Sequence, residues 1–530
     1  MRHASLRRPA PVAVLALALV LACSPALAQT PPSIGALPGG LDAYVGRVMR
    51  AFQVPGLALA VVKDGRVVAA RGYGVRRLGD PAPVDARTRF GIASNTKVFT
   101  AVALGLLVEQ GRLRWDAPVI DSLPWFRMYD PYVTREITVR DLLVHRSGLG
   151  LGAGDLLWWP RSTYSRREVA ERLRAIRPAT SFRGAYAYDN VLYLAAGEVV
   201  EAASGQSWED FVSSRILARV GMTRSNVRHS AAAGAGNVAA PHAAIDGVVT
   251  PIAPFDSDVT DPAGGINTCA EDMAKWLQVL LDQGRLPDGS RLFEAATWRQ
   301  ITAPVTPMPD AAPPPELPAL RSNFRLYALG LEVRDFKGYK VLTHTGGLPG
   351  YVSRVLMIPD LKLGVAVLTN QESSEAFDAV AYEIADAYTG GPRTDWLAGF
   401  ERARARAETA AAEARRKTSA ARNAASKPSL PLGAYAGTYR DAWYGDVSIA
   451  METGKLVIRF AKTPSLVGDL EHWQYDTFVA RWRDRTLRAD AFVTFALNPD
   501  GTIDRAKMRA VSPETDFSFD FQDLLLRPAR

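Results

Sequence analysis

A serine and a lysine three residues apart open a long apolar stretch of the chain. In GIASNTKVFTAVALGLLVEQG, Ser94 lies at the predicted helix N-terminus and Lys97 follows about one turn later on the same face. The lysine could take the serine's proton only if burial or nearby cations lowered its pKa, because free lysine is protonated at neutral pH. Backbone N–H groups at the helix N-terminus would suit a developing oxyanion. The pair indicates nucleophilic catalysis, although Ser-x-x-Lys alone occurs in many chains and Ser94 could simply cap the helix.

Two further polar groups follow in the chain. AYAYDNVLYLAAGEVVE carries Tyr188 and Asn190 just ahead of a second apolar helix. VLTHTGGLPGYVSRVLMIPD carries His344 at the head of a Thr-Gly-Gly segment that leads into a strand. The chain therefore contains SxxK, YxN and HTG in that order.

This ordered set resembles the motifs of the serine β-lactamases, the penicillin-binding proteins and their esterase and D-aminopeptidase relatives, a group of class C β-lactamase-like serine hydrolases. Three intervening stretches are similar as well: LLVHRSGL from Leu142, DPAGGINTCAEDMAKWLQ from Asp261 and VEQGRLRWDAPV from Val108. The resemblance covers about residues 36–390. It implies an α/β domain in which helices flank an antiparallel sheet.

The resemblance also implies the catalytic residues. Ser94 matches the nucleophile that accepts the acyl group, and Lys97 matches the lysine that shares its proton. Tyr188 matches the tyrosine that serves with the lysine as general base and later activates the deacylating water. Tyr186 is a nearby competitor, but only Tyr188 is followed two residues later by an asparagine.

The remaining matched positions would bind substrate. Asn190 would hydrogen-bond the substrate amide and the lysine, while His344 and Thr345 align with the usual Lys-Thr of the third motif. Gly346 continues the same strand along the cleft. The backbone N–H groups of Ser94 and Gly347 would form the oxyanion hole. The resemblance implies no cofactor and no metal.

One departure from the family pattern bears on the substrate. Histidine at position 344 is mostly neutral at pH 7, whereas the lysine of true β-lactamases keeps a positive charge for a substrate carboxylate. His-x-Gly here is familiar from the esterase and D-aminopeptidase branches, which favours small amide or ester substrates. No Glu-x-x-Leu-Asn segment is present, so deacylation should depend on Tyr188.

The sequence also predicts the elements that must position these residues. GLALAVVKDGRVVAARGYG predicts a hairpin with an Asp-Gly turn, and the helix that begins at Ser94 should end at Gln110 before the C-cap Gly111. RVLMIPDLKLGVAVLTN, near residues 353–370, predicts two more strands. Strands at both ends with helices between them predict an α/β domain whose sheet joins distant parts of the chain.

A helical linker and a small β-domain are expected after this domain. Residues 391–428 are rich in alanine and arginine and should form a helix that ends at Lys427-Pro428. Residues 429–530 contain short alternating runs with Thr-Gly and Asp-Gly turns, which predict an all-β domain. It is similar to the lipocalin-like domain appended to some of these hydrolases. Such a domain could shape access to the active site, bind a ligand, or stabilise or oligomerise the protein.

Several other residues are conspicuous in the sequence. His145 is expected to be structural, Cys269 to be a small buried residue, and the glycine-rich string at 148–155 to be a flexible loop. Trp158 and Trp159 could wall the cleft, although packing under a loop is the simpler expectation.

The composition limits the classes of protein. With 530 residues, 48% of them hydrophobic and 22% charged, the chain fits two or three folded domains and excludes disordered, collagenous and multi-spanning membrane proteins. Two cysteines exclude a disulfide framework. The net charge of +8 is concentrated in residues 1–28 and 401–427, so a nucleic-acid partner is not predicted. A small molecule or peptide is the expected substrate, and the oligomeric state stays open.

The N-terminal segment predicts export. Three arginines precede the run VAVLALALVLA, and Ala-Leu-Ala ending at Ala28 supplies the small residues of a cleavage site. Residues 1–28 are therefore expected to be a signal peptide, with a periplasmic or secreted mature protein. Alternatively, Val-Leu-Ala-Cys ending at Cys23 is a lipoprotein box, which would attach the protein to a membrane.

Three functions are compatible with these residues. The leading expectation is an exported serine hydrolase that forms an acyl-enzyme at Ser94 and cleaves a D-amino-acid peptide, a related amide or a small ester. The second is a β-lactamase or DD-peptidase that acts on β-lactams or peptidoglycan stem peptides. The third is an inactive binding protein of the same fold, against which the intact set of three motifs argues.

Overall fold

The computed structural model describes Met1 and residues 40–232, 236–310 and 312–529. The predicted signal peptide and Cys23 lie outside the described residues. Among the helices that the structure describes, none is long and apolar enough to cross a membrane.

An antiparallel sheet of nine strands forms the centre of the first domain in the described part of the chain. In chain order its strands are β1 (Gly56–Lys63), β2 (Arg66–Arg77), β3 (Asp80–Pro83), β4 (Thr306–Pro307), β5 (Arg325–Tyr327), β6 (Glu332–Phe336), β7 (Tyr339–Leu348), β8 (Tyr351–Ile358) and β9 (Leu363–Thr369). Their order in space is β3-β2-β1-β9-β8-β7-β6-β5-β4. The N-terminal hairpin therefore pairs with the last strand, as expected for a sheet that joins distant segments.

The predicted hairpin is confirmed, and its residue pattern explains why β1 is central. Alternate side chains of GLALAVVK pack into separate apolar clusters on the two faces, because successive residues of a strand point in opposite directions. The turn residues Asp64 and Gly65 have φ values of 51° and 73°, which suits the tight turn of a two-residue hairpin.

Helices cover both faces of the sheet. The longer ones are α1 (Leu41–Ala51), α2 (Lys97–Glu109), α3 (Val191–Ser204), α4 (Ala270–Leu281), α5 (Ser374–Thr389) and α6 (Trp396–Ala420). Shorter helices are Val119–Ser122, Pro131–Glu136, Arg166–Arg172, Trp208–Val212, Ala218–Val220, Asp261–Gly264 and Ala295–Thr302. One face packs against α1, α5 and the start of α6, and the other against a larger cluster that includes α2, α3 and α4. This arrangement confirms the predicted fold class.

The C-terminal residues form a nearly closed β-barrel, which confirms the predicted all-β domain. Its strands are β10 (Gly437–Asp441), β11 (Gly445–Glu452), β12 (Lys455–Phe460), β13 (Val467–Gln474), β14 (Thr477–Trp482), β15 (Ala491–Leu497), β16 (Ile503–Ala510) and β17 (Arg527–Pro528). They follow the order β16-β15-β14-β13-β12-β11-β10-β17, and a bridge between Ala506 and Leu526 joins the two ends.

The helix before the barrel ends earlier than its sequence suggests. The prediction placed its end at Lys427-Pro428, but α6 stops at Ala420. The chain then turns onto the barrel, where the Arg422 guanidinium donates to the carbonyl of Trp473 and the Asn423 N–H to the side chain of Gln474. These contacts offset the helical bonds that a longer α6 would have made.

Candidate active site

Ser94 lies in a tight turn directly before α2. The predicted helix begins at Ser94, but the structure places Ala93–Thr96 in a 3-10 turn and begins the α-helix at Lys97. Ala93 has a φ of 48°, an unusual value for a residue with a side chain. This turn brings the Ser94 hydroxyl next to the Lys97 side chain, with 3.0 Å between Oγ and Nζ.

Lys97 is entirely buried, and its Nζ has three oxygen neighbours. Besides Ser94 Oγ, these are Asn190 Oδ1 at 2.8 Å and the carbonyl oxygen of Ala263 at 3.0 Å. Burial lowers the pKa of Lys97 to about 7, although the carboxyl groups of Asp155 and Asp189 act in the opposite direction. The amine is therefore able to lose its proton near neutral pH.

The three neighbours decide which way the lone pair of the neutral amine points. The oxygens of Asn190 and Ala263 can only accept hydrogen bonds, so the two N–H groups of neutral Lys97 must face them. The protonated amine donates to Ser94 Oγ as well, and of the three neighbours only the Ser94 hydroxyl can also donate. The lone pair of Lys97 accordingly faces the Ser94 hydroxyl, which is the arrangement needed to remove its proton.

Tyr188 lies beside this pair. Its ring lies 4.9 Å from Lys97 Nζ, and loss of water contact raises the pKa of its hydroxyl well above 10, an effect that a hydrogen bond with Ser94 partly opposes. The Tyr188 hydroxyl is therefore protonated at neutral pH. Tyr186, the competitor in the sequence, lies farther out and is not among the residues that line the cleft with Ser94.

His145 packs against the ring of Tyr188. Its buried ring lies 4.2 Å from the Tyr188 ring, and its Nδ1 accepts a hydrogen bond from the backbone N–H of Asp189. Burial lowers the pKa of His145 well below its usual value, so the ring is neutral. This placement fits the structural role expected from the sequence. Cys269 is likewise buried, as expected.

The third motif lies on β7, just beyond the residues that pair with the neighbouring strand β6. Pairing between β6 and β7 begins at Glu332 and Thr343, so the edge of β7 beyond Thr343 faces the Ser94 turn. A β-carbon on Gly346 would lie 2.1 Å from the carbonyl oxygen of Ile92, whereas one on Gly347 would meet nothing within 4 Å. Glycine at 346 thus permits close contact with the turn, and Gly347 borders open space in the cleft.

His344 is buried and carries no charge. Its Nδ1 lies 2.5 Å from the carbonyl oxygen of Thr345 and its Nε2 2.8 Å from the Tyr327 hydroxyl. Because a carbonyl oxygen can only accept, Nδ1 carries the proton and Nε2 accepts from Tyr327. Burial and the nearby Lys97 lower the pKa of His344 to about 3. The side chain of Thr345, in contrast, is exposed.

These residues surround a cavity of about 260 Å³. Its lining contains Ser94, Tyr188, Asn190, His344, Thr345, Gly347 and the indoles of Trp158 and Trp159. The two tryptophans therefore wall the cleft, which was the less favoured of the two expectations. A larger cleft of about 820 Å³ between the two domains shares Trp159, Gly347, Leu348 and Asp516 with this cavity.

The barrel contributes part of the cleft, which agrees with one of the roles that the sequence left open for it. The cleft loop, residues 511–520 after β16, places Asp516, Phe517 and Ser518 in the same lining as Ser94. The ring of Phe517 contacts that of Tyr188 edge to face. Short-range patterns contain no signal for this contact, because the loop belongs to another domain.

Asp155 is a further residue near Lys97 that the sequence did not indicate. It ends the glycine-rich string that was expected to be a flexible loop, but the structure packs this segment into tight turns and buries the carboxylate completely. The carboxylate accepts hydrogen bonds from Asn190, Trp158 and Ser518. An acidic residue inside an apolar, glycine-rich string is the signal that could have drawn attention to it.

The described residues were also compared with the side-chain groups that bind metal ions. Among the described residues, no group of three or more His, Cys, Asp or Glu side chains is arranged to hold a metal ion. The cleft brings together the serine hydroxyl, amine, phenol and amide groups described above.

Comparison with known families agrees with this geometry. The family model described as Beta-lactamase matches residues 41–389, well over half of the chain. The chain belongs to the beta-lactamase family. Membership of this family, together with Ser94 and Lys97 in the cleft, makes it a serine hydrolase. The barrel matches a second model, described as a domain of unknown function (DUF3471), over residues 421–528.

Individual proteins resemble the chain over different lengths. The unguisins hydrolase ungD of Aspergillus violaceofuscus is 27% identical, with 88% of this chain and 86% of that protein covered. The octameric penicillin-binding protein homologue from Pyrococcus abyssi has a TM-score of 0.56 at 21% identity, and the match covers 92% of this chain and 99% of that one. A D-stereospecific amidohydrolase from Streptomyces sp. gives 0.50 at 24% identity, over 64% and 97%. The solved structures thus share the fold, which confirms the resemblance stated from the motifs.

Proposed function

We propose that this protein hydrolyses an amide or ester bond of a D-amino-acid peptide, a related amide or a small ester, through an acyl-enzyme at Ser94. The observation that carries the proposal is the contact of 3.0 Å between the Ser94 hydroxyl and the buried amine of Lys97. The other two neighbours of this amine are acceptor oxygens, so the lone pair of the neutral amine is left for Ser94.

Acylation would begin with transfer of the Ser94 proton to Lys97 as Oγ attacks the substrate carbonyl carbon. The backbone N–H groups of Ser94 and Gly347 would stabilise the oxyanion. The protonated phenol of Tyr188 would give its proton to the leaving amine or alcohol and regain one from Lys97. The carbon–nitrogen or carbon–oxygen bond breaks in this step, and the acyl group stays on Ser94.

Deacylation would reverse these roles. A water molecule loses a proton to the Tyr188 and Lys97 pair and attacks the ester carbonyl. The bond to Ser94 Oγ breaks, the serine regains its proton, and a carboxylic acid leaves. No cofactor enters either half of the reaction.

The third motif argues against an acyl donor that carries a carboxylate. His344 is neutral and hydrogen-bonded at both ring nitrogens, so it offers no fixed positive charge to a substrate carboxylate. The carboxyl group of Asp516 lines the same cavity. Recognition of the carboxylate of a β-lactam or of a stem peptide is therefore disfavoured, which places the β-lactamase and DD-peptidase alternative second. The name of the Streptomyces neighbour, a D-stereospecific amidohydrolase, is consistent with the substrate class proposed here.

Intact-mass spectrometry tests the proposal directly. The protein is mixed with D- and L-aminoacyl amides, short esters and a penicillin, and sampled from seconds to hours beside Ser94→Ala. We expect turnover of the D-aminoacyl amides or esters and a transient adduct that Ser94→Ala lacks. A penicillin adduct that is lost rapidly with product release would favour the β-lactamase alternative. Turnover that persists in Ser94→Ala would overturn the acyl-enzyme mechanism.

Export remains part of the proposal. The supporting observation is the arginine-flanked apolar run before Ala28. N-terminal sequencing of the mature protein should begin at residue 29, whereas a lipid attached to Cys23 would indicate membrane attachment instead. An intact N-terminus on protein from the cytoplasm would contradict export.

A further inference from the structure

A buried carboxylate links the barrel to the catalytic lysine. The side chain of Asp155 is fully buried, and its Oδ1 accepts from Trp158 Nε1 at 2.9 Å. Its Oδ2 accepts from Asn190 Nδ2 at 2.9 Å and from Ser518 Oγ, on the cleft loop, at 2.9 Å. Three donors from three separate segments therefore meet at one carboxyl group.

The carboxylate determines how the Asn190 amide is turned. Burial raises the pKa of Asp155 to about 7, while the hydrogen bonds from Asn190, Ser518 and Trp158 favour its ionised form. In that form the carboxylate can only accept, so the NH₂ end of Asn190 faces Asp155 and its oxygen faces Lys97. If the amide were flipped, its NH₂ group would compete with the amine protons of Lys97. The lone pair of Lys97 would then no longer be directed to Ser94.

The cleft loop also fixes the segment that carries Asp155. The buried carboxylate of Asp520 accepts from the backbone N–H groups of Gly154 at 2.6 Å and Leu156 at 3.0 Å, one on each side of Asp155. Ser518 and Asp520 thus hold both the side chain and the backbone of the same short segment.

We infer that Asp155 is a positioning residue for acylation, which orients the Asn190 amide toward Lys97, and that the barrel completes this arrangement through Ser518. This inference rests on the proposed function. It assigns the C-terminal domain a role inside the active site: Ser94, Lys97, Asn190 and Asp155 all lie in the first domain, but Ser518, one of the three donors to the Asp155 carboxylate, comes from the second.

Asp155→Asn is the sharpest test, because it keeps the size of the side chain and removes its acceptor-only character. Either orientation of the new amide sets an N–H group against one of the existing donors. We expect kcat/KM to fall by up to about 100-fold, as for a small misplacement of a catalytic group. The loss should lie in kcat rather than KM, since Asp155 does not line the cavity.

The pH profile separates positioning from simple structural damage. The titratable groups that face Asp155 are Lys97, Tyr188, Asp516 and Asp520. Removing the negative charge beside Lys97 favours its neutral form, so the acidic limb of kcat/KM should move to lower pH in Asp155→Asn. A variant that is merely less well folded would lose activity without moving that limb.

Two loop variants serve as matched controls. Ser518→Ala removes one donor and keeps the carboxylate, so we expect a several-fold loss of kcat with an unchanged acidic limb. Asp520→Asn weakens docking of the same loop without changing a contact of Asn190. It should lower the melting temperature and reduce kcat less than Asp155→Asn does. Melting curves of all variants identify any that fail to fold.

The outcomes also separate this inference from the proposed function. If wild-type protein forms the Ser94 adduct and Asp155→Asn keeps wild-type kcat, the positioning role is wrong and the proposed function stands. If Asp520→Asn reproduces both the kcat loss and the pH shift, loop docking rather than amide orientation is responsible, and the inference is overturned. Absence of any adduct in wild-type protein would instead refute the proposed function.

Discussion

The ring of Phe517, on the barrel, packs edge to face against the ring of Tyr188, with 6.1 Å between their centroids. Phe517 is 41% exposed and lines the cleft. Gly152 beneath it has a φ of 68°, and a β-carbon there would lie 2.8 Å from Phe517. The barrel is therefore packed against Tyr188, the tyrosine to which the proposed function gives a catalytic role.

Removing this ring should change which substrates fit. In Phe517→Ala we expect KM to rise for small acyl groups and activity toward bulkier ones to increase, because one wall of the cavity is lost. A series of acyl chain lengths measures this effect. Phe324→Ala is the matched control, since Phe324 is 42% exposed and lies outside the cavity lining. Equal substrate profiles in both variants would contradict the role of Phe517.

The activity should depend on the protonation of Lys97. Burial lowers the pKa of Lys97 to about 7, and only the neutral amine can accept the Ser94 proton, so kcat/KM should rise as pH increases through about 7. His344 has its pKa lowered to about 3 and stays neutral throughout this range. The acidic limb of the pH profile should therefore be unchanged in His344→Gln. The Lys97→Met variant should lose roughly 10²- to 10⁴-fold in rate. A value of kcat/KM that does not change between about pH 5 and about pH 9 would argue against Lys97 as the base.

Tyr188→Phe should slow both acylation and deacylation. With an activated ester acylation should still occur, so the slow deacylation step becomes visible by itself. Phenylalanine keeps the ring contacts with His145 and Phe517, so folding should be preserved. Without the hydroxyl, neither the leaving group nor the attacking water has its proton relay. We expect a long-lived adduct with activated esters in mass spectra. Normal turnover of that adduct would show that Tyr188 is not required for deacylation.

Two adjacent glycines should respond differently to the same change. In Gly346→Ala the new methyl group would collide with the Ile92 carbonyl, so we expect a loss of roughly 1–3 kcal/mol in stability and a displaced Ser94 turn. In Gly347→Ala the methyl group meets open space, so the melting temperature should stay close to wild type while KM changes. Similar melting temperatures for the two variants would contradict the close packing at Gly346.

Local patterns predicted the regular elements with few errors. The Asp-Gly hairpin near the N-terminus, the two strands after residue 350 and the β-domain hairpins are all present. Their signals are short in sequence, because alternation and turn residues act over a few positions. The two errors lie at element ends: Ser94 occupies a 3-10 turn, and α6 stops at Ala420. In both places contacts with distant segments override local helix preference.

The sequence by itself determined the family, the two folded regions and the order of the SxxK, YxN and HTG motifs, because each of these depends on residues close together in the chain. Only the tertiary structure decided the direction of the Lys97 lone pair, the charge state of His344 and the place of the barrel in the cleft. Burial lowers the pKa of both side chains. Asp155 and Ser518 meet although hundreds of residues separate them, and their hydrogen bond comes from domain packing, for which neither residue carries a local pattern.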